Sequence, residues 1–260
     1  MADIIDNVRT SLHDRGELPG MSLMEHLEEL RKRLVRAILW LLGGCAIAGF
    51  FCTHLVAFIQ KPLVDIGLSM TMTHPTDAIE LDIKTAIVFG AIFASPFILY
   101  QIWMFISPGM YAHERRYVVP FMSSTIGLFL GGAWFGYRYV LPGGMKVLIL
   151  GFGAHFTKMI TIDDYTSFFL SVILGLGICF ELPILIFFLS VFGIVDAKFL
   201  VKHIRYAVLI IFLITACICP LPDIVSMCLF ASPMLLLYLL GVGVAWYVHP
   251  NRRKAKENLA

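Results

Sequence analysis

Five stretches of this chain run for more than 20 residues without a lysine or arginine: Ala37 to Gln60, Thr85 to Ala112, Tyr117 to Tyr137, Tyr165 to Val195 and Ile224 to Val248. A helix of about 20 apolar residues is about 30 Å long, the thickness of bilayer hydrocarbon. Composition agrees, with 59% hydrophobic and 15% charged residues, against about a quarter charged in soluble domains. Backbone in hydrocarbon must satisfy its own hydrogen bonds. These runs are unbroken and lack the roughly ten-residue alternation of a barrel, so helices are the spanning solution. The expected fold class is therefore an all-α integral membrane protein. A sixth run, Tyr206 to Cys219, has only 14 residues and reaches about 21 Å. It must thin the bilayer, borrow flanking residues or turn back with the final span as a re-entrant hairpin. The count is six transmembrane segments with a short fifth.

Orientation follows from Lys and Arg. With alternating spans, Arg9, Arg15, Arg31, Lys32, Arg33, Arg36, Arg115, Arg116, Lys198, Lys202, Arg205, Arg252, Arg253, Lys254 and Lys256 share one side, and only Lys61, Lys84, Arg138, Lys146 and Lys158 lie on the other. Both termini are thus expected in the cytoplasm. The division is residues 1–33 as a cytoplasmic tail with an amphipathic helix, 34–248 as one membrane domain and 249–260 as a cytoplasmic tail. The polar first 33 residues and the long first apolar run argue against a cleavable signal peptide. Pro62 and Pro75 fall in the expected first outer loop. Pro142-Gly143-Gly144 opens the second, and Pro220-Leu221-Pro222-Asp223 makes the last turn tight. Pro96, Pro183 and Pro233 should kink their helices. Gly127, Gly131, Gly132, Gly175 and Gly177 are candidates for close helix approach.

Much chemistry is excluded. The chain carries no phosphate-binding G-x-x-x-x-G-K-[ST], no G-x-S-x-G and no dinucleotide fingerprint. His113-Glu114-Arg115-Arg116-Tyr117 starts like H-E-x-x-H but ends in tyrosine, without the second metal ligand. All six cysteines lie in apolar stretches, where a thiol packs as a small hydrophobe. The expectation is a protein that is not an enzyme, with no cofactor, no metal and no nucleic-acid partner.

Three carboxylates stand out. Glu181 is the one charge between Tyr165 and Val195, and an ionisable group near a span's centre costs roughly 3 kcal/mol on insertion scales. It faces a partner, a cavity or a ligand, or it is a neutral carboxyl bonded to a neighbouring helix. Residues 22 to 36 form an amphipathic helix with Leu23, Leu27, Leu30 and Leu34 on one face. Ser22 with Glu25 makes a weak capping box. Glu28 with Lys32 and Glu29 with Arg33 are i,i+4 pairs, so this helix is either a self-neutralised solvated face or a ligand site. Glu114, beside Arg115 and Arg116, is either a helix-capping acid or a second part of that site.

Four motifs then carry a family resemblance. His26-Leu27-Glu28-Glu29-Leu30-Arg31-Lys32-Arg33-Leu34, Ser95-Pro96-Phe97-Ile98-Leu99-Tyr100-Gln101-Ile102-Trp103, Ser107-Pro108-Gly109-Met110-Tyr111-Ala112-His113-Glu114-Arg115-Arg116 and Phe180-Glu181-Leu182-Pro183 occur in this order. Together they resemble the TatC family, the six-span, cup-like receptor core of the twin-arginine translocase. The resemblance runs from about Ser22 to Val248.

It implies that Glu29 and Glu114 form a cytoplasmic docking site for the paired arginines of a signal peptide, with Arg31 orienting the helix. Guanidinium matches carboxylate in a planar fork, which lysine does not. It also implies that Glu181 faces a concave pocket met by single-span partners or by the inserted signal, with Gln101 able to share that pocket. Pro62, Pro96 and Asp223 become scaffold or subunit-contact positions. Asp77 and Ile79 stand where relatives often have Glu and Phe, and Ala112 replaces a frequently basic residue. The implied partners are TatA- and TatB-like single-span subunits, signal peptides of folded cargo, membrane lipid and further copies of the chain. The implied place is the bacterial inner membrane and the implied energy source the protonmotive force. The alternative from another class is a proton-coupled secondary transporter using Glu181, and the third is a structural scaffold.

Overall fold

A computed structural model of the chain describes residues 23–106, 118–152, 159–191, 195–218 and 224–248. Among the described residues the apolar runs are predominantly helical, and four helical stretches are long and apolar enough to cross a membrane. What the structure adds is where each run breaks. The first is two helices, α1 (Leu23–Phe50) and α2 (Cys52–Val64), turned at Phe51 (φ −96°, ψ 12°). Pro62 lies inside α2 rather than in an outer loop. Its missing N–H leaves the carbonyl four residues back without the usual donor. Tyr137 donates its hydroxyl to that carbonyl, Phe58 O, at 3.4 Å, and Tyr165 donates to Ile59 O at 2.6 Å. The proline thus frees Phe58 O for an interhelical bond, with Tyr165 adding a second one beside it.

Prolines in the next helix and the last are handled differently. α3 (Asp77–Ile106) contains Pro96 and continues past it. Ser95 donates its hydroxyl to Ile92 O at 2.7 Å, the carbonyl that Pro96 cannot serve. In the final helix Ser232 does the same for Leu229 O at 2.9 Å, ahead of Pro233. One Ser-Pro device therefore carries two spans through a proline.

The third run extends beyond expectation. α4 (Val118–Phe135) passes through a π-helical segment (Gly136–Val140), α5 (Leu141–Met145) and a second π-helical segment (Lys146–Phe152). Pro142-Gly143-Gly144 is therefore helical, not the opening of a loop. The π register moves the Leu141 N–H onto Gly136 O, so Pro142 falls in the first turn of α5, where a missing donor costs least. The fourth run is α6 (Ile162–Cys179) and α7 (Leu182–Val191), separated at Phe180-Glu181. α8 (Ala197–Lys202), α9 (Ile204–Ile218) and α10 (Ile224–Val248) complete the order. With 15 residues, α9 is about 22 Å long, the short fifth segment.

α6 is the hub. Tyr165, Phe169, Val172 and Leu176 on it are buried against Ile59 and Leu63 of α2 and Leu141 of α5. A second cluster joins Ile186 of α7, Leu200 of α8 and Ile211 of α9 to Ala231, Met234 and Tyr238 of α10. Close approach occurs where glycine permits it. A Cβ on Gly44 would lie 2.4 Å from Gly90 O and one on Gly90 2.6 Å from Cys45 N, so α1 and α3 cross with backbones touching. A Cβ on Gly132 would lie 2.7 Å from Leu176 O, and one on Gly177 3.0 Å from the Phe129 ring. Gly127 and Gly131 meet nothing within 4 Å and make no such contact.

The loop side opposite the start of α1 is ordered by polar ties. β1 (Met70–Thr71) pairs in parallel with β2 (Ile160–Thr161), Met70 against Ile160 and Thr71 against Thr161. Lys84 bridges Glu80 at 2.6 Å and Asp163 on α6. Asp77, 3% exposed, accepts from the amides of Thr73 at 2.7 Å and His74 at 2.9 Å. Those amides, His74 first, hold its carboxyl below the usual range in this turn ahead of the apolar run.

Candidate functional site

The amphipathic helix expected at residues 22 to 36 is the first part of α1, but it is turned the other way. Leu27, Leu30 and Leu34 are exposed. The less exposed stripe runs instead through Glu29, Arg33, Ala37, Leu41, Gly44 and Ala48, and its lower half is the α3 crossing. Two polar residues thus continue a packing seam. At the same end the His26 ring stacks on Phe105 of α3, with centroids 4.5 Å apart and 23° between planes. Farther along, Trp40 stacks on Phe97 at 4.1 Å.

The two expected ion pairs of α1 both form and are unlike each other. Lys32 reaches Glu28 at 2.8 Å with both side chains 63% exposed, a solvated surface pair. Arg33 and Glu29 are only 15% and 18% exposed. Arg33 donates Nε at 2.9 Å and Nη2 at 2.5 Å, both to Glu29 Oε1. Oε2 is buried and has no hydrogen-bond partner. Arg33, which the sequence offered only as the i,i+4 partner of Glu29, is therefore largely buried with it. The i,i+4 spacing signalled the pair, and nothing local signalled its burial. Arg31 is exposed. Glu114 with its loop, Ser22, Asp223 and the two terminal tails lie outside the described residues.

Glu181 sits in the α6–α7 break, which Pro183 imposes by lacking the donor that would continue the helix. Its N–H donates to Ile178 O at 3.1 Å and its carbonyl accepts from Leu185 N at 2.9 Å. Its side-chain Oε1 is buried and unpartnered. Gln101, 7% exposed on α3, also has a buried, unpartnered Oε1. These two oxygens are not bonded to each other. Near Gln101, Trp103 donates to Thr125 Oγ1 of α4 at 3.2 Å and packs on Phe188 of α7 at 4.4 Å. Ile178 and Leu182, flanking the Glu181 turn, also line an apolar cleft of about 510 Å³ that reaches Ile214 of α9 and Met234 of α10. Among the described residues no three His, Cys, Asp or Glu are arranged to hold a metal.

A helical membrane bundle with a largely buried carboxylate at one end, a second acid at a break within a span and an apolar cleft beside it defines a binding and transport scaffold. The comparisons give that class its family. The profile of the Sec-independent protein translocase protein TatC matches residues 25–233. The TatC protein of Koribacter versatilis (strain Ellin345) is 47% identical over 247 residues, covering 92% of this chain and 91% of the relative. A solved structure described as the twin arginine translocase receptor TatC superposes with a TM-score of 0.76 at 37% identity, over 85% of this chain and 98% of that one. A second, of the same receptor in the detergent DDM, gives a TM-score of 0.80 at 36% identity, over 85% and 99%. The chain belongs to the TatC family. That family transports proteins across membranes and is not an enzyme family, which decides against the small-solute transporter alternative.

Proposed function

We propose that this chain is the receptor core of a twin-arginine translocase in the bacterial inner membrane, with residues 1–33 and 249–260 in the cytoplasm flanking a membrane domain of residues 34–248. Glu29 and Glu114 hold the paired arginines of a signal peptide, and Arg31 orients the segment that bears Glu29. The apolar part of the signal then follows the bundle toward Glu181, with Gln101 contributing to the same pocket. TatA- and TatB-like single-span subunits join near the short fifth and the sixth segments, further copies of the chain and lipid complete the assembly, and the protonmotive force drives folded cargo across. Pro62 and Pro96 serve the scaffold, and Asp223 the last turn.

One observation supports this reading above others. Among the described residues, the buried side-chain oxygens without a hydrogen-bond partner lie on Glu29, Thr85, Gln101, Thr166 and Glu181. Three of the five are on residues singled out by the motifs. Buried acceptors left unmet are costly in a finished fold and suit groups whose partner arrives from outside. The test is photocrosslinking from positions beside Glu29 and Glu114 to a signal peptide. Crosslinks to an Arg-Arg peptide that vanish with Lys-Lys, and in Glu29→Gln or Glu114→Gln, support the receptor role. Equal labelling of both peptides by all variants refutes it.

A further inference from the structure

Arg33 already occupies the place at Glu29 where a ligand's guanidinium is expected. We propose that Arg33 sets the affinity of this site, as an intramolecular guanidinium that closes the Glu29 carboxylate and that an arriving cation must displace. This rests on the docking role proposed above for Glu29.

The geometry of the pair is one-sided. A guanidinium and a carboxylate at their best share two parallel bonds, one per oxygen. Here Nε and Nη2 of Arg33 both end on Oε1, at 2.9 and 2.5 Å, and Oε2 stays buried with no donor. The contact is strong enough to hold the carboxylate and leaves half of it unmet. Its burial also matters, because a carboxylate out of water needs a counter-charge. Arg33 supplies that charge in the resting protein. Lys32 cannot, since it is 63% exposed on Glu28, and Arg31 and Arg36 are exposed.

Competition then sets how tightly the site binds. An incoming cation must offer more than the two bonds Arg33 already makes. An arginine approaching free of the helix can take both oxygens in the planar fork, whereas lysine brings a compact point charge that satisfies fewer acceptor positions. An internal competitor weakens both by the same factor, so the intrinsic preference for arginine is kept while the site stays closed to weak cations at low concentration. The position of the pair suits this use. It lies on the less exposed stripe of α1, one turn from the His26 and Phe105 stack, which ties the backbone that carries Glu29 to α3.

The test measures binding of fluorescent synthetic signal peptides carrying Arg-Arg or Lys-Lys to the full-length protein in detergent, for wild type, Arg33→Gln, Arg33→Lys and Glu29→Gln. A site held closed nine-tenths of the time binds about 10-fold more weakly than an open one. Arg33→Gln is therefore expected to tighten Arg-Arg and Lys-Lys binding by the same factor, about 10-fold, so that the ratio between them is kept. Arg33→Lys keeps a counter-charge on Glu29 without the planar fork and is expected to tighten both by a smaller factor. It decides the matter if Arg33→Gln does not fold. Unchanged or weaker Arg-Arg binding in the Arg33 variants overturns the proposal. If Glu29→Gln meanwhile abolishes binding, the docking role stands and only the competitor role is lost. Intact binding in Glu29→Gln removes the docking role itself.

Discussion

At the scale of single residues, the polar atoms that lack partners and those that have unusual ones carry most of the information. Glu181 Oε1 is buried without a donor, and an unmet acceptor of this kind costs about 1–3 kcal/mol. Glu181→Met is thus expected to raise thermal stability in detergent by about 1–3 kcal/mol while lowering export of a folded reporter. A loss of stability would mark the carboxyl as a structural hydrogen-bonding group instead. The serines before proline make a complementary case. Ser95 and Ser232 each serve the carbonyl that the following proline leaves open, so Ser95→Ala should cost about 1 kcal/mol, and Pro96→Ala should recover most of that in the double variant. Asp77 adds a pH dependence. Its carboxyl titrates below the ordinary range because the His74 and Thr73 amides bond the charged form. The stabilisation it gives is complete above about pH 4 and is lost as pH falls through the lowered value. Amide exchange at Thr73 and His74 should accelerate in acid in the wild type. In Asp77→Asn it should be fast, with the acid-specific change removed.

Among elements, contact is decided by where side chains are missing. α1 meets α3 at Gly44 and Gly90, with hypothetical Cβ contacts of 2.4 and 2.6 Å to backbone atoms that cannot yield. Gly90→Leu should separate the two helices and cost about 1–3 kcal/mol or more. Gly43→Ala, with nothing within 4 Å, should be neutral or stabilise by up to about 1 kcal/mol. Thermal unfolding of the purified variants distinguishes them, and equal behaviour would show that this crossing is not close-packed in the membrane. The same crossing positions the proposed docking end, because α1 carries Glu29 and Arg33 on the stripe that leads into it. Splaying α1 from α3 should therefore weaken signal-peptide binding as well as stability.

For the whole molecule, the determining feature is unequal length. α9 has 15 residues and at about 22 Å falls well short of a 30 Å hydrocarbon layer. Mismatch of that size is relieved by thinning the bilayer or by borrowing flanking residues. Depth-dependent fluorescence quenching from probes on α9 is expected to report a thinned layer there, which would lower the barrier to folded cargo. Ordinary thickness around α9 would remove this contribution. Lengthening α9 by four apolar residues should impair export while leaving signal-peptide binding unchanged.

The long apolar runs determined the class of fold and the shortness of the fifth segment, because in hydrocarbon a backbone has few other ways to satisfy its donors and acceptors, while the breaks that split the first and fourth runs into two helices each did not show in them. The motifs were legible too, as Glu29, Glu181 and Gln101 were singled out before their oxygens were found buried and unmet. Other features depended on contacts distant in sequence. Pro62 and Pro142 read as loop punctuation, yet both are helical, since Tyr137 and Tyr165 serve the carbonyls near one and a π register accommodates the other. Gly127, Gly131 and Gly132 are alike in sequence, and only Gly132 faces another backbone. Glu28 and Glu29 likewise each have a basic residue four positions on. Burial makes one pair a closed carboxylate and leaves the other a surface detail, a difference set by which side of α1 each pair lies on.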